Sequence, residues 1–114
     1  MWQFNLVLID DGEFNKLRSE NEKLIIDVFR KIKIFANQKN SDLYFIFLPS
    51  YPGNSKGEKI LKIISSLNIP IIDIKKEVFD KHQDPLSLFP LRVAGHYNEE
   101  AYDLISKKVI ELTK

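Results

Sequence analysis

Two short, uninterrupted apolar stretches constrain the fold of this chain more than any other feature. Residues 43–48 read LYFIFL and residues 69–74 read IPIIDI; a proline follows the first stretch, and another lies near the start of the second. Runs of this length, rich in aromatic and β-branched residues, are typical of strands buried on both faces of a parallel sheet. The sequence therefore predicts two strands joined through a helix.

Amphipathic helices flank these strands. Ser19 and Glu22 form a capping box before one helix, and Ser55 and Glu58 form another before the next. Asn98 is a good N-cap for a last helix. The first and last helices are each expected to bury one apolar stripe: Ile25, Val28, Phe29, Ile32, Phe35 and Ala36 in the first, and Ala101, Tyr102, Ile105, Val109 and Leu112 in the last.

The remaining segments carry weaker signals. Residues 4–9 (FNLVLI) are compatible with a third strand that ends at a turn over residues 10–12. A short helix is expected over residues 75–81, followed by an irregular stretch over residues 82–97 that contains two prolines.

The order of these elements predicts a single α/β domain over residues 1–114. Strands joined through helices indicate a three-layer sandwich with a short parallel sheet, similar in style to flavodoxin. A sheet of two or three strands leaves its edges open. The sequence therefore predicts either an incomplete domain or a domain whose edge pairs with another chain.

Composition excludes several classes of function. The net charge of +1, with basic residues spread along the helices, gives no reason to expect nucleic acid as a partner. The absence of cysteine excludes disulfides, zinc–thiolate sites and thiol catalysis. No apolar run approaches the roughly 18 residues of a membrane span, so no membrane partner is expected. Phosphate-binding glycine motifs are missing, and neither a cofactor nor a metal is predicted. The cellular compartment is left open.

Candidate site residues lie at the carboxyl ends of the predicted strands, where open α/β sheets bind ligands. Ser50 and Tyr51 follow the first strand, Asp73 lies near the end of the second, and His96 and Asn98 precede the last helix. His96 is a candidate general base, or else a loop histidine that donates to a backbone carbonyl. Ser50 is a candidate nucleophile, or else a hydroxyl that satisfies loop backbone. Asp73 is a candidate ligand-binding residue together with Tyr51 and Asn98, or else the cap of the short helix.

From Leu43 to its end, the chain resembles the C-terminal half of an SGNH (GDSL-type) hydrolase. The matching segments are FIFLPSYP, IPIIDI, DPLSLFP and the terminal block GHYNEEAYDLISKKVIE. This resemblance implies an acyl-ester hydrolase or acyltransferase lineage that uses a Ser-His-Asp triad. Carried over to this sequence, the general base of that triad is His96.

The chain departs from the family pattern at the residues that carry the chemistry. It has no Gly-Asp-Ser motif, and Val93 stands where the family has an aspartate three residues before the histidine. Asp84 is the remaining candidate for the orienting carboxylate, or else a turn residue before Pro85.

These departures lead to two expectations. The first is a partial SGNH-like domain that is inactive alone, whose partner is a missing N-terminal half and whose substrate, if it is active, is an acyl ester. The alternative is a non-catalytic α/β interaction module that forms a homodimer.

Overall fold

The computed structural model describes residues 4–49, 57–93 and 95–114, with side chains described from Glu22 onward. Strands and helices alternate as β1 (Phe4–Asp10), α1 (Asp11–Gln38), β2 (Asp42–Leu48), α2 (Glu58–Ser66), β3 (Ile71–Asp73) and α3 (Glu99–Leu112). The connection from β3 to α3 contains a π-helical turn (Lys75–Phe79), a 3-10 turn (Pro85–Leu88) and a tight, kinked turn over Pro90–Arg92. The chain is therefore an α/β protein, as its sequence predicts.

The three strands form one parallel sheet in the order β1-β2-β3, with β2 in the middle. All three predicted strands are confirmed, although β3 is shorter than the apolar run that suggested it. Pro70 has no N–H for the ladder and takes part only through its carbonyl, which accepts from Phe45 N at 2.9 Å. At the other end, Asp73 Oδ1 accepts a hydrogen bond from Lys75 N, and the chain turns into a helix.

An asparagine follows the end of α1 and of α2. Asn40 and Asn68 adopt left-handed φ values of 52° and 57°, a conformation that asparagine tolerates better than most residues. At the first of these turns the amide of Ser41 donates to the carbonyl of Ala36 at 2.9 Å. Each asparagine thus directs the chain from a helix into the next strand.

Both predicted capping boxes are wrong about where their helices begin. Helix α1 starts at Asp11, directly after β1, so Ser19 lies inside the helix and no turn separates the two elements. An acidic residue is favourable in the first turn of a helix, and nothing between Asp11 and Ser19 stops propagation. Helix α2 starts at Glu58 with Gly57 as its N-cap, and Ser55 lies outside the described residues.

Side chains pack against both sides of β2. On one side, a helix-side cluster joins β2 to α1 and α2; its buried members are Ile25, Phe29, Ala36, Leu43, Phe45, Phe47, Ile60, Ile64 and Ile69. On the other side, a loop-side cluster joins β2 to β3, the connecting turns and α3; its buried members are Ile46, Ile72, Ile74, Val78, Phe79, Leu88, Phe89, Ala101 and Ile105. Successive residues of β2 enter alternate clusters, as the pleat of a strand requires.

The predicted helix stripes are only partly buried. In α1, Val28 is 44% exposed and Phe35 is 55% exposed, whereas Phe29 between them is buried. In α3, Tyr102 and Leu112 are exposed, although Ala101 and Ile105 are buried as predicted. Val28, Phe35 and Tyr102 lie on the flanks of their helices, away from the centre of the buried stripe. Leu112 lies on the same face as Ile105 but is the last residue of α3.

Candidate functional site

Tyr97 attaches the segment before α3 to the carboxyl end of β2. Its hydroxyl donates a hydrogen bond to the carbonyl of Pro49, the residue that follows β2. Its ring is half-buried and belongs to the loop-side cluster. The neighbouring residue His96 is thereby held at the edge of the sheet where the sequence predicts a site.

Asn98 fixes the same segment through three hydrogen bonds. Its side-chain oxygen accepts from the amide of Ala101 at 3.0 Å, which is the predicted N-cap of α3. Its side-chain nitrogen donates to the carbonyl of Ser87 at 2.7 Å, and its backbone amide donates to the carbonyl of Leu88 at 3.0 Å. Both polar atoms of the side chain are thus engaged in holding the start of α3 to the loop before it. The ligand-binding role predicted for Asn98 stays a prediction.

Aromatic rings hold this loop against the sheet. Phe79, Phe89 and Tyr97 stand in mutual contact, with centroid separations between 5.4 and 5.6 Å. Tyr102 packs edge-on against Tyr97 at 5.6 Å. Offset and edge-on contacts are the arrangements that aromatic quadrupoles favour. Part of the irregular segment between β3 and α3 therefore packs into the core.

His96 projects from this anchored segment into solvent. It is exposed, and its ring makes no hydrogen bond with any residue that the structure describes. Gly95 before it adopts a φ of 146°, and no atom lies within 4 Å of the position that a Cβ would take there. The proposed loop-histidine bond to a backbone carbonyl is not seen among the described residues. An exposed imidazole with an open approach is available to a ligand or an incoming group.

Asp84 is engaged with a partner other than His96. Its two carboxylate oxygens accept from the two terminal nitrogens of Arg92, each at 2.8 Å, in a bidentate pair. These hydrogen bonds, reinforced by the Arg92 charge, lower the pKa of the Asp84 carboxyl below its usual range. The amide of Asp84 donates to His82 Nδ1 at 3.0 Å. No described carboxylate is bonded to His96, and the role of Asp84 as orienting carboxylate stays a prediction.

The Asp84–Arg92 pair closes a strained loop. Leu91 and Arg92 both adopt left-handed φ values, 56° and 59°, which are costly for residues with a side chain. Leu91 is 94% exposed, so no packing of its own side chain compensates for this strain. The amides of Arg92 and Val93 donate to carbonyls three residues earlier, which closes the turn from within. This loop is thus held in one shape a few residues before His96.

Three other residues were predicted to belong to the site: Asp73, Ser50 and Tyr51. Asp73 Oδ1 accepts from the amide of Lys75 at 3.1 Å, so Asp73 has the alternative role predicted for it, at the start of the short helix. Ser50 and Tyr51 lie outside the described residues. The structure therefore brings the His96 segment and the end of β2 together, and it leaves the nucleophile and ligand-binding roles as predictions.

An open groove of about 1140 Å³ lies between α3 and β2, next to this site. Its apolar walls are formed by Ile46 and Leu48 of β2 and by Ile105, Val109 and Ile110 of α3. Glu99, Glu100 and Asp103 form an acidic rim at the end where α3 begins.

Sequence reasoning missed the residues that hold the site together. Tyr97, Phe89 and Arg92 were not predicted to have roles, although they anchor the segment and the loop. An arginine eight positions after an aspartate gives no periodic signal. The aromatic residues of an irregular stretch likewise carry no spacing that announces burial.

Comparisons of this chain with protein-family models, curated proteins and solved structures found no match. Among the described residues, no cluster of three or more His, Asp or Glu side chains could hold a metal ion. None of the described helices combines the length and apolar character needed to cross a bilayer. The fold and the geometry around His96 are therefore the observations on which a functional proposal must rest.

Proposed function

We propose that this chain is an α/β unit of SGNH-hydrolase type that keeps the family's histidine at position 96 but does not hydrolyse acyl esters alone. The observation that carries the proposal is the attachment of Tyr97 and Asn98, which hold His96 between the carboxyl end of β2 and the start of α3. A general base in an open α/β sheet belongs at that edge.

The arrangement of the sheet gives further support. Side chains pack on both sides of β2, with α1 and α2 on one side and α3 on the other. The order β1-β2-β3 corresponds to strands 3, 4 and 5 of the flavodoxin-like order 2-1-3-4-5. We therefore propose a three-layer sandwich with a short parallel sheet that represents part of a doubly wound domain. The remaining strands of such a domain would add beside β1.

The lack of activity follows from the missing partners of His96. The sequence contains no Gly-Asp-Ser motif, and the nearest family-like carboxylate position holds Val93. Asp84 is paired with Arg92. A histidine without a carboxylate loses its preferred tautomer and the stabilisation of its imidazolium form, so the triad mechanism has neither nucleophile nor orienter.

Hydrolysis of p-nitrophenyl acetate tests this proposal. We expect the chain and its His96→Ala variant to give the same background rate, with His82→Ala as the control for loss of the chain's other imidazole. Circular dichroism on each protein establishes that it is folded. A rate well above background that is lost in His96→Ala and kept in His82→Ala would overturn the proposal of inactivity. Dependence of that rate on Ser50 as well would assign the nucleophile.

A second candidate function is a non-catalytic interaction module that forms a homodimer. It is favoured by one specific observation: among the described strands, the seven-residue β1 lies at the edge and pairs only with β2. Native proteins protect long edge strands, because the unpaired backbone groups are a template for another chain.

A further inference from the structure

The two edges of the sheet differ in length. Strand β3 has three residues, whereas β1 has seven and pairs along its whole length with β2. Every second residue of an edge strand points its N–H and C=O groups away from the sheet, so β1 offers the longer template for an added strand.

Helix α1 carries an exposed apolar stripe. Leu24, Val28 and Phe35 are 56%, 44% and 55% exposed. Spacings of four and seven residues place them in one line along a helix. This line is distinct from the buried stripe that contains Ile25 and Phe29, which faces β2.

The exposed stripe lies on the flank of α1 that faces away from α2. Lys33 Nζ donates to the carbonyl of Leu67 at the end of α2 at 2.7 Å, which identifies the flank that faces α2. At about 100° per residue, Val28 and Phe35 lie roughly opposite Lys33 around the helix. Since β1 and α2 lie on opposite sides of α1, the apolar stripe and the open edge of β1 are on the same side of the molecule.

We propose that this combined surface binds a second copy of the chain across a two-fold axis perpendicular to the sheet. The β1 strands of the two copies pair antiparallel, and a six-stranded sheet results. Helix α1 packs over both β1 and β2. With strands about 4.8 Å apart, the two α1 helices then lie about 10 Å from each other, the separation of directly packed helices. The two exposed stripes therefore meet when the two edge strands pair.

The charges along α1 favour this antiparallel arrangement. Charge is unevenly distributed about Val28. Before it the helix carries five acidic residues (Asp11, Glu13, Glu20, Glu22 and Asp27) and three basic ones (Lys16, Arg18 and Lys23), and after it only the basic Arg30, Lys31 and Lys33. An antiparallel copy brings the net negative half of one helix beside the positive half of the other. A parallel copy would place like charges side by side, which disfavours it.

The inference deepens the interaction-module function and does not depend on SGNH ancestry. In this dimer the carboxyl ends of β2 in the two copies point in opposite directions. The second copy therefore brings no nucleophile to His96, and dimerisation leaves the chain without esterase activity.

Sedimentation velocity of the full chain and of matched variants tests the proposed surface. We expect the 13.3 kDa chain to sediment as a dimer at micromolar concentration. Val28→Glu with Phe35→Glu should sediment as a monomer and keep its helical circular dichroism. Ile110→Glu is the control: Ile110 is 58% exposed but lines the groove beside α3, so this variant should remain a dimer.

The possible outcomes distinguish failure of the homodimer from failure of the proposed interface along β1 and α1. A monomeric wild-type chain would overturn both the homodimer and the surface. A dimer that survives the α1 substitutions but dissociates in Ile110→Glu would keep the homodimer and move its interface to the α3 groove. The label distances below test the same arrangement without substitutions in the apolar stripe, so they decide even where the α1 double variant does not fold.

Because the chain contains no cysteine, single spin labels report the relative direction of the two α1 helices. A label at Asp27→Cys lies near the middle of the helix, and one at Lys39→Cys lies just beyond its end. At about 1.5 Å per residue, the antiparallel dimer gives a clearly shorter distance at position 27 than at position 39. Equal distances at the two positions would contradict the two-fold antiparallel arrangement.

Discussion

The two sides of β2 are covered in different ways. The helix-side cluster draws its side chains from α1 and α2, whose aliphatic residues recur at helical spacing. The loop-side cluster draws on an irregular segment, and it relies on tilted and edge-on aromatic contacts and on the hydrogen bonds of Tyr97 and Asn98. The regular side supports the sheet, and the irregular side fixes the position of His96.

The difference implies that the site depends on a few individual contacts. A helix face spreads its packing over many equivalent residues, whereas the segment before α3 is held by three hydrogen-bonding carbonyls, those of Pro49, Ser87 and Leu88. Substitutions that remove stability from the two sides should therefore have different effects on the environment of His96.

The largest expected effect comes from removing a buried ring on the loop side. Phe89→Ala deletes a side chain that is 2% exposed, and should lower the free energy of unfolding by about 3–5 kcal/mol. Phe29→Ala on the helix side should cost a similar amount, since Phe29 is also buried. Urea denaturation measures both. A cost well under about 1 kcal/mol for Phe89→Ala alone would mean that the loop side is not part of the core.

An intermediate effect is expected where α2 approaches β2. A Cβ at Gly57 would overlap the ring of Phe47, which is itself buried. Gly57→Ala should therefore destabilise the chain by about 1–3 kcal/mol through overpacking. Lys59→Ala, on the exposed face of the same helix, should be nearly neutral. The chemical shift of His96 should stay unchanged, because the disturbance is on the other side of the sheet.

A smaller effect is expected from the cap of α3. Asn98→Ala removes the acceptor for Ala101 N and the donor to the carbonyl of Ser87, and should cost about 1–2 kcal/mol. Asn98→Asp keeps the acceptor and loses only the donor, so it should recover most of the cap. Here the chemical shift of His96 should move, in contrast to Gly57→Ala. Equal free energies of unfolding for Asn98→Ala and the unsubstituted chain would contradict the observed cap.

The smallest effect is expected from the exposed pair of Asp84 and Arg92. Since the pKa of Asp84 is lowered in the folded chain, its ionised form stabilises the fold at pH values above the unfolded pKa. That contribution is lost as the pH falls through the lowered folded pKa. A double-mutant cycle with Asp84→Asn and Arg92→Gln should show coupling at neutral pH and none in acid. Coupling that grows on acidification would contradict the assigned direction.

Local periodicity in the sequence was enough to predict the elements that form the helix-side cluster. The apolar run at residues 43–48 and the helical spacing around Phe29 both appear in the structure as predicted. These features depend on neighbours three to five positions away, so a single sequence contains the information.

The loop side could be predicted only in part. Asn98 was predicted because a cap acts on its own helix, whereas the contacts of Tyr97 with Pro49 and of Asn98 with Ser87 join positions far apart in sequence. Similarly, Ser19 was predicted to cap α1 and lies inside it, and Val28 was predicted to be buried and is exposed. Both predictions used local signals, a capping box and an apolar position. They do not reveal where a helix finally starts or which of its flanks another element covers.

The segment that carries His96 should be anchored as firmly as the sheet itself. Native-state hydrogen exchange at the amides of Asn98 and Ala101, with Phe45 as the reference within the sheet, measures this directly. The structure predicts that the first two amides open with free energies close to that of Phe45 and to global unfolding. Exchange of Asn98 and Ala101 at the rate of an unstructured peptide, while Phe45 stays protected, would contradict it.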